Sequence, residues 1–544
     1  MADTDSGLPV CSATVIQDLI DRTAGTGHAA YVPPGIYLAD NAVYLSSDVT
    51  LVFDAAAILR RNYASTAAEG MLTQRDMSSK IVNVKLSGGR LDNPQPYDGT
   101  SIAIFGDNIS ISGMEVLDFY GGLGVVIVGD DNKLSDLRVV TSSQVTGAGG
   151  IRMAGGHNFL CSNCYVESGD DALQFVPISP NNGAAIENIS IADSQYVNCI
   201  GISAAARACV VFLENRSSTY EMTANVTNCA FIGIRGQGGP IGALCANKAL
   251  DNQPSTGLIS NIQFIGVSLS LGDATTGANF QVQRDSTNGG PIQQIDFIGC
   301  TGFLGAGAAN STGAAGLYVQ EASQVRWIGG SIAASAVAQY AVQILSSSDC
   351  AVADTEVVCG EQCQAGIYVG YGDGSTEASD RVAISNVTVR AIPDTTGYES
   401  GISLDRTDAC TVTSSTLISV NAMGGSTGIL VNDSKNCRLD QNNCLLVGQP
   451  YVFSGESFGF INGSLGAGTS ATGTIGLSSG TADVTFPFAR FVNDRYSVQL
   501  TGNTTAETFA FSNRTETGFT ITSSNPDSTA EVCWSALITQ FTTP

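Results

Sequence analysis

Apolar and polar residues alternate in short runs along most of this chain, as in Ile109-Ser110-Ile111-Ser112-Gly113-Met114-Glu115-Val116. Four to six alternating positions broken by Gly, Asn, Asp or Ser predict short strands joined by tight turns. The break recurs near Gly113, Asp136, Asn163, Asp193, Asn228, Gly266, Gly299, Gly329, Asp354, Asn386, Ser414 and Gln441. These twelve copies lie 23 to 38 residues apart. A period near that size with several strands per copy predicts a parallel β-helix, because each coil buries its inward residues only by stacking on the next. A β-propeller repeat is longer and more regular, roughly 40–50 residues, and ranks second.

The ends depart from this pattern. Val15, Ile16, Leu19 and Ile20 have helical spacing, so a helix is predicted over 12–23, with Thr14 and Gln17 as a capping box and Gly25 and Gly27 beyond it. Such a helix covers the open end of a solenoid, whose edge would otherwise pair with other chains. Residues 1–29 are therefore assigned to an N-terminal segment with a capping helix, and 30–465 to the β-helix. The Gly, Ser, Thr and Ala of residues 466–480 predict a linker. Residues 481–544 then carry five short alternating stretches, at 482–488, 496–500, 509–512, 518–521 and 532–538, which predict a small C-terminal β-sandwich. The expected fold class is all-β.

Charge narrows the partners. The 49 acidic and 24 basic residues give a net charge of −25, which repels phosphate backbones and argues against nucleic acid. Two histidines, His28 and His157, argue against a His-rich zinc site or a Ser-His-Asp triad. No apolar run is long enough for a membrane span, and no basic start with an apolar core marks a secretory leader, so neither insertion nor signal-directed export is expected. The 15 cysteines are odd in number and several lie at the turns. They are expected to be buried free thiols. Cys161-Ser162-Asn163-Cys164 has redox or zinc spacing, but no helix start follows it, so it is read as core. No metal or cofactor is expected.

Candidate chemistry centres on Glu167-Ser168-Gly169-Asp170-Asp171. Glycoside cleavage needs one carboxylic acid to protonate the leaving oxygen and one carboxylate to activate water or attack carbon. Adjacent Asp170 and Asp171 would face opposite ways on a regular strand, and a bend at Gly169 would bring them together. Glu167 is the reserve carboxylate. Arg152 and His157 lie one coil earlier, within reach of a ~4.8 Å coil spacing, and are candidate substrate contacts. Arg152 could anchor an acidic sugar or act as base. Tyr120, in the predicted exposed loop 117–122, is a candidate sugar platform. Phe119 and Trp327 are expected to pack inward, and Asp130-Asp131 to form a turn.

Residues Val15 to Leu59, with Tyr31-Val32-Pro33-Pro34-Gly35-Ile36-Tyr37 and Val49-Thr50-Leu51, resemble the opening of the pectate-lyase-like right-handed β-helix superfamily. Gly169-Asp170-Asp171 resembles the Gly-Asp-Asp of polygalacturonase-like hydrolases. Phe486-Pro487-Phe488, Tyr496-Ser497-Val498, Thr517-Gly518-Phe519-Thr520-Ile521 and Val532-Cys533-Trp534 resemble the small β domains that end phage tail fibres and tailspikes. The resemblance implies right-handed coils and a tailspike that binds a bacterial surface polysaccharide and cleaves it, as a glycoside hydrolase or a polysaccharide lyase. It also implies a homotrimer, attachment to a phage tail or baseplate protein, and a place in the virion tail. The polygalacturonase set is incomplete: Gly149 stands where a further Asp is expected, and Cys199-Ile200-Gly201-Ile202-Ser203 lacks the His of a Gly-His-Gly. Only Asp170 and Asp171 carry over. A non-catalytic glycan- or receptor-binding fibre protein is the alternative, and a structural shaft the third reading.

Overall fold

A computed structural model describes residues 7–542, except 65–69, 95–98, 119–121, 142–146, 178–187, 216–220, 250–253, 272–276, 285–287, 305–314, 335–338, 361–362, 373–377, 392–398, 420–425, 446, 448, 455–456, 463–469, 486–496, 504–506, 516–517 and 538–539. The chain divides into two compact units, residues 1–308 with 316–325, and residues 309–315 with 326–544.

In the first unit the chain winds as a right-handed parallel β-helix through three parallel sheets, called I, II and III below. One coil runs from Ser110–Ser112 in sheet III, past Gly113, to Glu115–Asp118 in sheet I, then to Val125–Val128 in sheet II. The next coil repeats it in register. Ser110–Ser112 pairs with Lys133–Ser135, Glu115–Asp118 with Arg138–Thr141, and Val125–Val128 with Ile151–Met153.

All twelve predicted breaks have left-handed backbone, with φ between 50° and 70°. A corner this tight needs positive φ, which Gly adopts freely and Asn and Asp tolerate. The coils carry two such corners, five residues apart, on either side of the sheet III strand, as at Asn108 and Gly113 or Asp131 and Asp136. Asp193 and Asn228 occupy the first corner of their coils, and Asn198 and Gly233 the second. The other ten breaks are second-corner residues; with Asn198 and Gly233 in the series the spacings still run from 23 to 35 residues, so most of the irregularity is a real difference in coil length. Corner side chains also stack between coils: Asn83 Nδ2 donates to Asp48 Oδ1 and Asn108 Nδ2 to Asn83 Oδ1, both at 2.7 Å.

Inward residues of sheet III form a continuous row, Leu86, Ile111, Leu134, Cys161, Tyr196, Phe231, Phe264 and Phe297. The last four rings stack at 5.4, 5.1 and 4.9 Å between centroids. Each buried aromatic contributes about 1.5–3 kcal/mol by burial alone. All cysteines except Cys11 and Cys533 are buried, and all are free thiols.

The helix Thr14–Thr23 buries Ile16 and Ile20. The predicted capping box does not form: Ala13 is the N-cap and makes no side-chain cap bond. Gln17 is drawn instead to the first strand of sheet II, Val43–Leu45. Its Nε2 donates to Tyr44 O at 3.0 Å, and Tyr44 N donates to its Oε1 at 2.8 Å. Among the described residues no strand pairs with that side of Val43–Leu45, and the glutamine amide takes the place of a strand partner there.

The second unit repeats the three-sheet coil, as in Ser331–Ala334, Tyr340–Leu345 and Ala351–Ala353. Trp327 is fully buried and opens the inward row Val352, Ile384, Val412, Leu439 and Ile461. Two antiparallel three-stranded sheets follow, forming a small sandwich. One holds Ser470–Gly476, Glu531–Leu537 and Ser497–Gly502; the other holds Thr481–Thr485, Gly518–Ser523 and Phe509–Thr515. Phe519 and Trp534 meet edge-to-face across them at 5.5 Å. The segment 466–480, expected as a linker, thus contributes a strand that pairs along its whole length with Glu531–Leu537. Thr472, Thr474 and Ile475 favour extended backbone, and a partner strand offsets the entropy of the glycines. Gln540–Thr542 then returns to pair antiparallel with Phe458–Asn462, covering an edge of the last coil. No helix among the described residues is long and apolar enough to cross a membrane.

The stacked aromatic row makes a direct prediction. Phe264→Ala should destabilise the protein by about 3–5 kcal/mol, because rings on both sides fix the cavity walls. Gly266→Asn, which keeps a residue able to hold positive φ, should stay within about 1 kcal/mol. Chemical denaturation of the two variants checks the contrast, and equal losses would contradict it.

Candidate functional site

Gly169-Asp170-Asp171 is not on a strand. It forms the corner between Tyr165–Ser168 of sheet I and Leu173–Phe175 of sheet II. Ser168 ends its strand and closes the corner by donating from Oγ to Asp170 O at 2.5 Å. Asp170 is half-buried, and Asp171 is buried. On the next coil Arg207 grips Asp171 at two points. Its Nε lies 2.7 Å from Oδ1, an ion contact, and Nη2 donates to Oδ2 at 3.1 Å. Burial pushes the Asp171 carboxyl up to about 6 against the pull of Arg207, and neighbouring Asp170 pushes it further.

Arg152 stands outward on sheet II beside this corner. Its Nε donates to Gln174 Oε1 at 2.6 Å, and Gln174 Nε2 donates to Asp171 O at 2.6 Å. Gln174 pairs with Arg152 in the ladder, so coil stacking sets this relay. Gly149 shows why no further acid sits here. A Cβ at that position would lie 2.4 Å from Leu123 Cδ2 and 2.6 Å from Gln174 Nε2.

Glu167 lies on the outward face of sheet I, at the end of the strand that leads into the corner. It accepts a hydrogen bond from Tyr165 OH at 2.9 Å, which raises the tyrosine's pKa above its ordinary value. Arg138, one coil earlier, lies 5.7 Å from the Tyr165 ring centroid and pairs with Glu115 at 2.7 Å. The outward row continues through Arg90 to Ile58. A second outward row carries Arg60, Asp92 and Glu167. Arg60 and Arg90 converge on Asp92 at 2.9 and 3.5 Å. Beside these rows opens a cleft of about 570 Å³ whose lining includes Ile58, Arg90, Glu115, Asp136 and Arg138. Corner glycines Gly88, Gly89 and Gly113 also border it. The sheet I face therefore offers an aromatic ring, guanidinium groups and carboxylates in one strip, which suits a polyhydroxylated ligand.

His157 belongs elsewhere. Its Nδ1 is 3.0 Å from Asp130 Oδ1, and its backbone N donates to the same oxygen at 2.9 Å. Lys80 reaches Asp130 at 3.7 Å and Asp107 at 2.9 Å. Desolvation works against the charge on Asp130, but His157 and Lys80 outweigh it and hold its pKa below the ordinary value. No described contact joins His157 to Asp170 or Asp171. Tyr120 and Phe119 lie outside the described residues. Asp131 is a left-handed corner residue, as expected of a turn. Arg207, Arg138, Tyr165 and Gln174 were not singled out from sequence. The first lies 36 residues beyond its partner Asp171, one coil length.

No family model matches the chain, and no curated protein does. Solved structures do match. The chain is similar in fold to phage tailspikes. The tailspike protein of the E. coli bacteriophage HK620, in complex with a pentasaccharide, superposes with a TM-score of 0.56 at 10% identity, covering 99% of this chain and 92% of that one. A point mutant of the same tailspike, also bound to pentasaccharide, gives 0.57 with the same coverage and identity. An exopolygalacturonase from Thermotoga maritima gives 0.43 at 12% identity, over 69% of this chain and 86% of that one. The likeness to the HK620 tailspike fixes the tailspike-like fold over almost the whole chain.

The Asp171 shift predicts a pH dependence. Its carboxyl keeps its proton in the folded state up to about pH 6, whereas the ordinary value is 3.8. Between these values the native state binds more protons than the unfolded one. The contribution of Asp171 to stability therefore falls as pH rises through that window, by up to about 1.4 kcal/mol per unit, and is flat above it. The stability difference between wild type and Asp171→Asn should vary with pH between about 4 and 6, measured by denaturation at fixed ionic strength. A difference constant across that range would contradict the shift.

Proposed function

We propose that this chain is a phage tailspike that binds a bacterial surface polysaccharide along the outward face of sheet I and cleaves it beside Gly169-Asp170-Asp171. The observation that carries the reading is the strip of Arg138, Tyr165 and Glu167 beside a 570 Å³ cleft, ending at a corner with two more carboxyl groups. A tailspike with this fold binds a pentasaccharide, which supports a saccharide as ligand. Tyr165 supplies an apolar ring edged by a hydroxyl, and Arg90 and Arg138 supply donors for hydroxyl or carboxylate oxygens.

Cleavage needs two carboxyl groups in different protonation states. Asp171, with its pKa pushed up to about 6, supplies the protonated one below about pH 6, and Asp170 or Glu167 is the candidate second carboxyl group. Arg207 fixes the Asp171 side chain, and Arg152 holds Gln174 against the backbone of the same corner. Arg152, outward beside this corner, is the substrate contact in this reading, and His157, held by Asp130 at a separate corner, takes no part in it. The reaction is a glycoside hydrolysis in this reading, with no metal or cofactor.

A second reading, binding without cleavage, is favoured by one observation: the two-point grip of Arg207 leaves Asp171 little freedom to meet a substrate. Incubation with host surface polysaccharide separates the two. New reducing ends are expected, without the ultraviolet absorbance of an unsaturated sugar that a lyase would leave. Asp170→Asn, Asp171→Asn and Glu167→Gln identify the pair: two of the three should lower cleavage by roughly 10²–10⁴-fold while glycan binding persists. Tyr165→Ala should weaken binding itself. Full cleavage by all three carboxylate variants would move the catalytic site elsewhere. Binding without any product in the wild type would establish the second reading.

The assembly we infer is a homotrimer held on a phage tail or baseplate protein, with the virion tail as its location. The sandwich of residues 470–542, compact and joined to the coil by Gln540–Thr542, is suited to clasp three chains at one end. Light scattering should give three times the chain mass of 56.1 kDa, and the single-chain mass at working concentration would contradict it.

A further inference from the structure

Three thiols meet in the interior of the first unit. Cys161 Sγ lies 3.5 Å from Cys164 Sγ and 4.0 Å from Cys199 Sγ, and all three sulfurs are within 4.8 Å of one another. Their relative exposures are 0%, 2% and 1%, so water does not reach them.

A repeating turn feature accounts for two of the three. Cys164 and Cys199 each follow a left-handed asparagine, Asn163 and Asn198, and each S–H can donate to the carbonyl two residues back, at 3.3 and 3.4 Å. Cys229 and Cys350 do the same after Asn228 and Asp349, at 3.3 and 3.4 Å. Cys161 does not fit this explanation. It sits mid-strand, in the inward row of sheet III, between Leu134 and Tyr196. The row's neighbours from Leu86 to Phe297 are otherwise large and apolar, and truncating such a position costs on the order of 2–5 kcal/mol. The small residue falls at the one place in the row where its sulfur faces two corner thiols.

The separations also match a known chemistry. A metal–thiolate bond of about 2.3 Å places sulfurs about 3.8 Å apart around a tetrahedral ion and about 4.0 Å apart around a trigonal one. The two separations in the structure, 3.5 and 4.0 Å, bracket the first and reach the second. We propose that Cys161, Cys164 and Cys199 form a three-sulfur site for a soft monovalent d¹⁰ cation of the Cu(I) class. Soft sulfur ligands select Cu(I) and zinc among biological metals. Structural zinc takes four protein ligands, and among the described residues no His, Asp or Glu joins the three sulfurs. A three-coordinate monovalent ion needs no fourth. Each sulfur–metal bond that replaces an S–H releases that proton to solvent. Two thiolates and one retained thiol around Cu(I) leave a single negative charge spread over the cluster.

The test uses the full chain carrying Cys11→Ser and Cys533→Ser, which removes the two exposed thiols. Reduced protein is refolded anaerobically with Cu(I)–acetonitrile, then challenged with a bicinchoninate chelator. The expected result is about one copper retained per chain, with new near-ultraviolet thiolate-to-copper absorption. Copper X-ray absorption should show sulfur only, near the thiolate bond length of about 2.3 Å. In the same background, Cys161→Ser and Cys199→Ser should each lower retention at least 100-fold. Cys229→Ser, which removes a buried corner thiol outside the cluster, should leave it unchanged. No retained copper in the parent, nitrogen or oxygen ligands in its absorption spectrum, or equal loss in Cys229→Ser would overturn the proposal. The parent's stoichiometry and spectrum decide the question even if a cluster variant fails to fold.

Discussion

Each residue of these coils lies against the residue one coil before it and one coil after it, at the hydrogen-bonding distance of a parallel ladder. That register governs the rest of the structure. Backbone groups are satisfied between coils rather than within a helix or hairpin, so the chain holds its shape with few charges. A one-residue slip would turn every inward side chain outward, so the register is fixed wherever a large apolar row is buried. Two left-handed corners per coil reset it, because they return the chain to the same angle each time. The inward row from Leu134 to Phe297 and the corner ladder from Asp48 to Asn108 are two expressions of this constraint, one apolar and one polar.

The same constraint decides how much of the fold is legible in the sequence. Corners that demand positive φ draw Gly, Asn and Asp, and those residues mark every predicted break apart from Ser414 and Gln441. Alternation marks the strands, because one face is packed and the other wet. What alternation cannot show is which of two corners a residue occupies, so Asp193 and Asn228 fall in the wrong series. Interactions that depend on a partner distant in sequence are also hidden. Gln17 reads as a capping residue because its neighbours are visible and Tyr44 is not. Residues 466–480 read as a linker because their composition is that of a loop, while the strand that orders them, Glu531–Leu537, comes about sixty residues later.

The candidate site divides along the same line. Gly169-Asp170-Asp171 is a local motif, legible from neighbouring residues alone. Arg207, which neutralises Asp171, is 36 residues away, and nothing near the motif announces it. Adding one coil length to each polar residue of interest is the signal that would have found it. That rule takes Asp171 to Arg207 and Cys164 to Cys199, and it takes Glu115 to Arg138 over a shorter coil. It would also have separated His157, whose coil neighbour is Asp130, from the acidic corner.

Charge gains meaning only once the coils are stacked. A chain with 49 acidic and 24 basic residues repels long polyanions as a whole. Yet Arg60, Arg90 and Arg138 stand on one outward face, where strand register places them in adjacent rows. Each is partly neutralised by Asp92 or Glu115 and retains donors beyond those contacts, because a guanidinium carries five N–H groups. A face of this kind binds oxygen-rich ligands through directed hydrogen bonds rather than through net charge. Its affinity should then depend weakly on salt, unlike that of a basic groove built to hold phosphate. That difference is a physical reason for an acidic protein to present arginines in pairs with carboxylates: each pair fixes the direction of the guanidinium donors that remain, while the net negative field disfavours long polyanions.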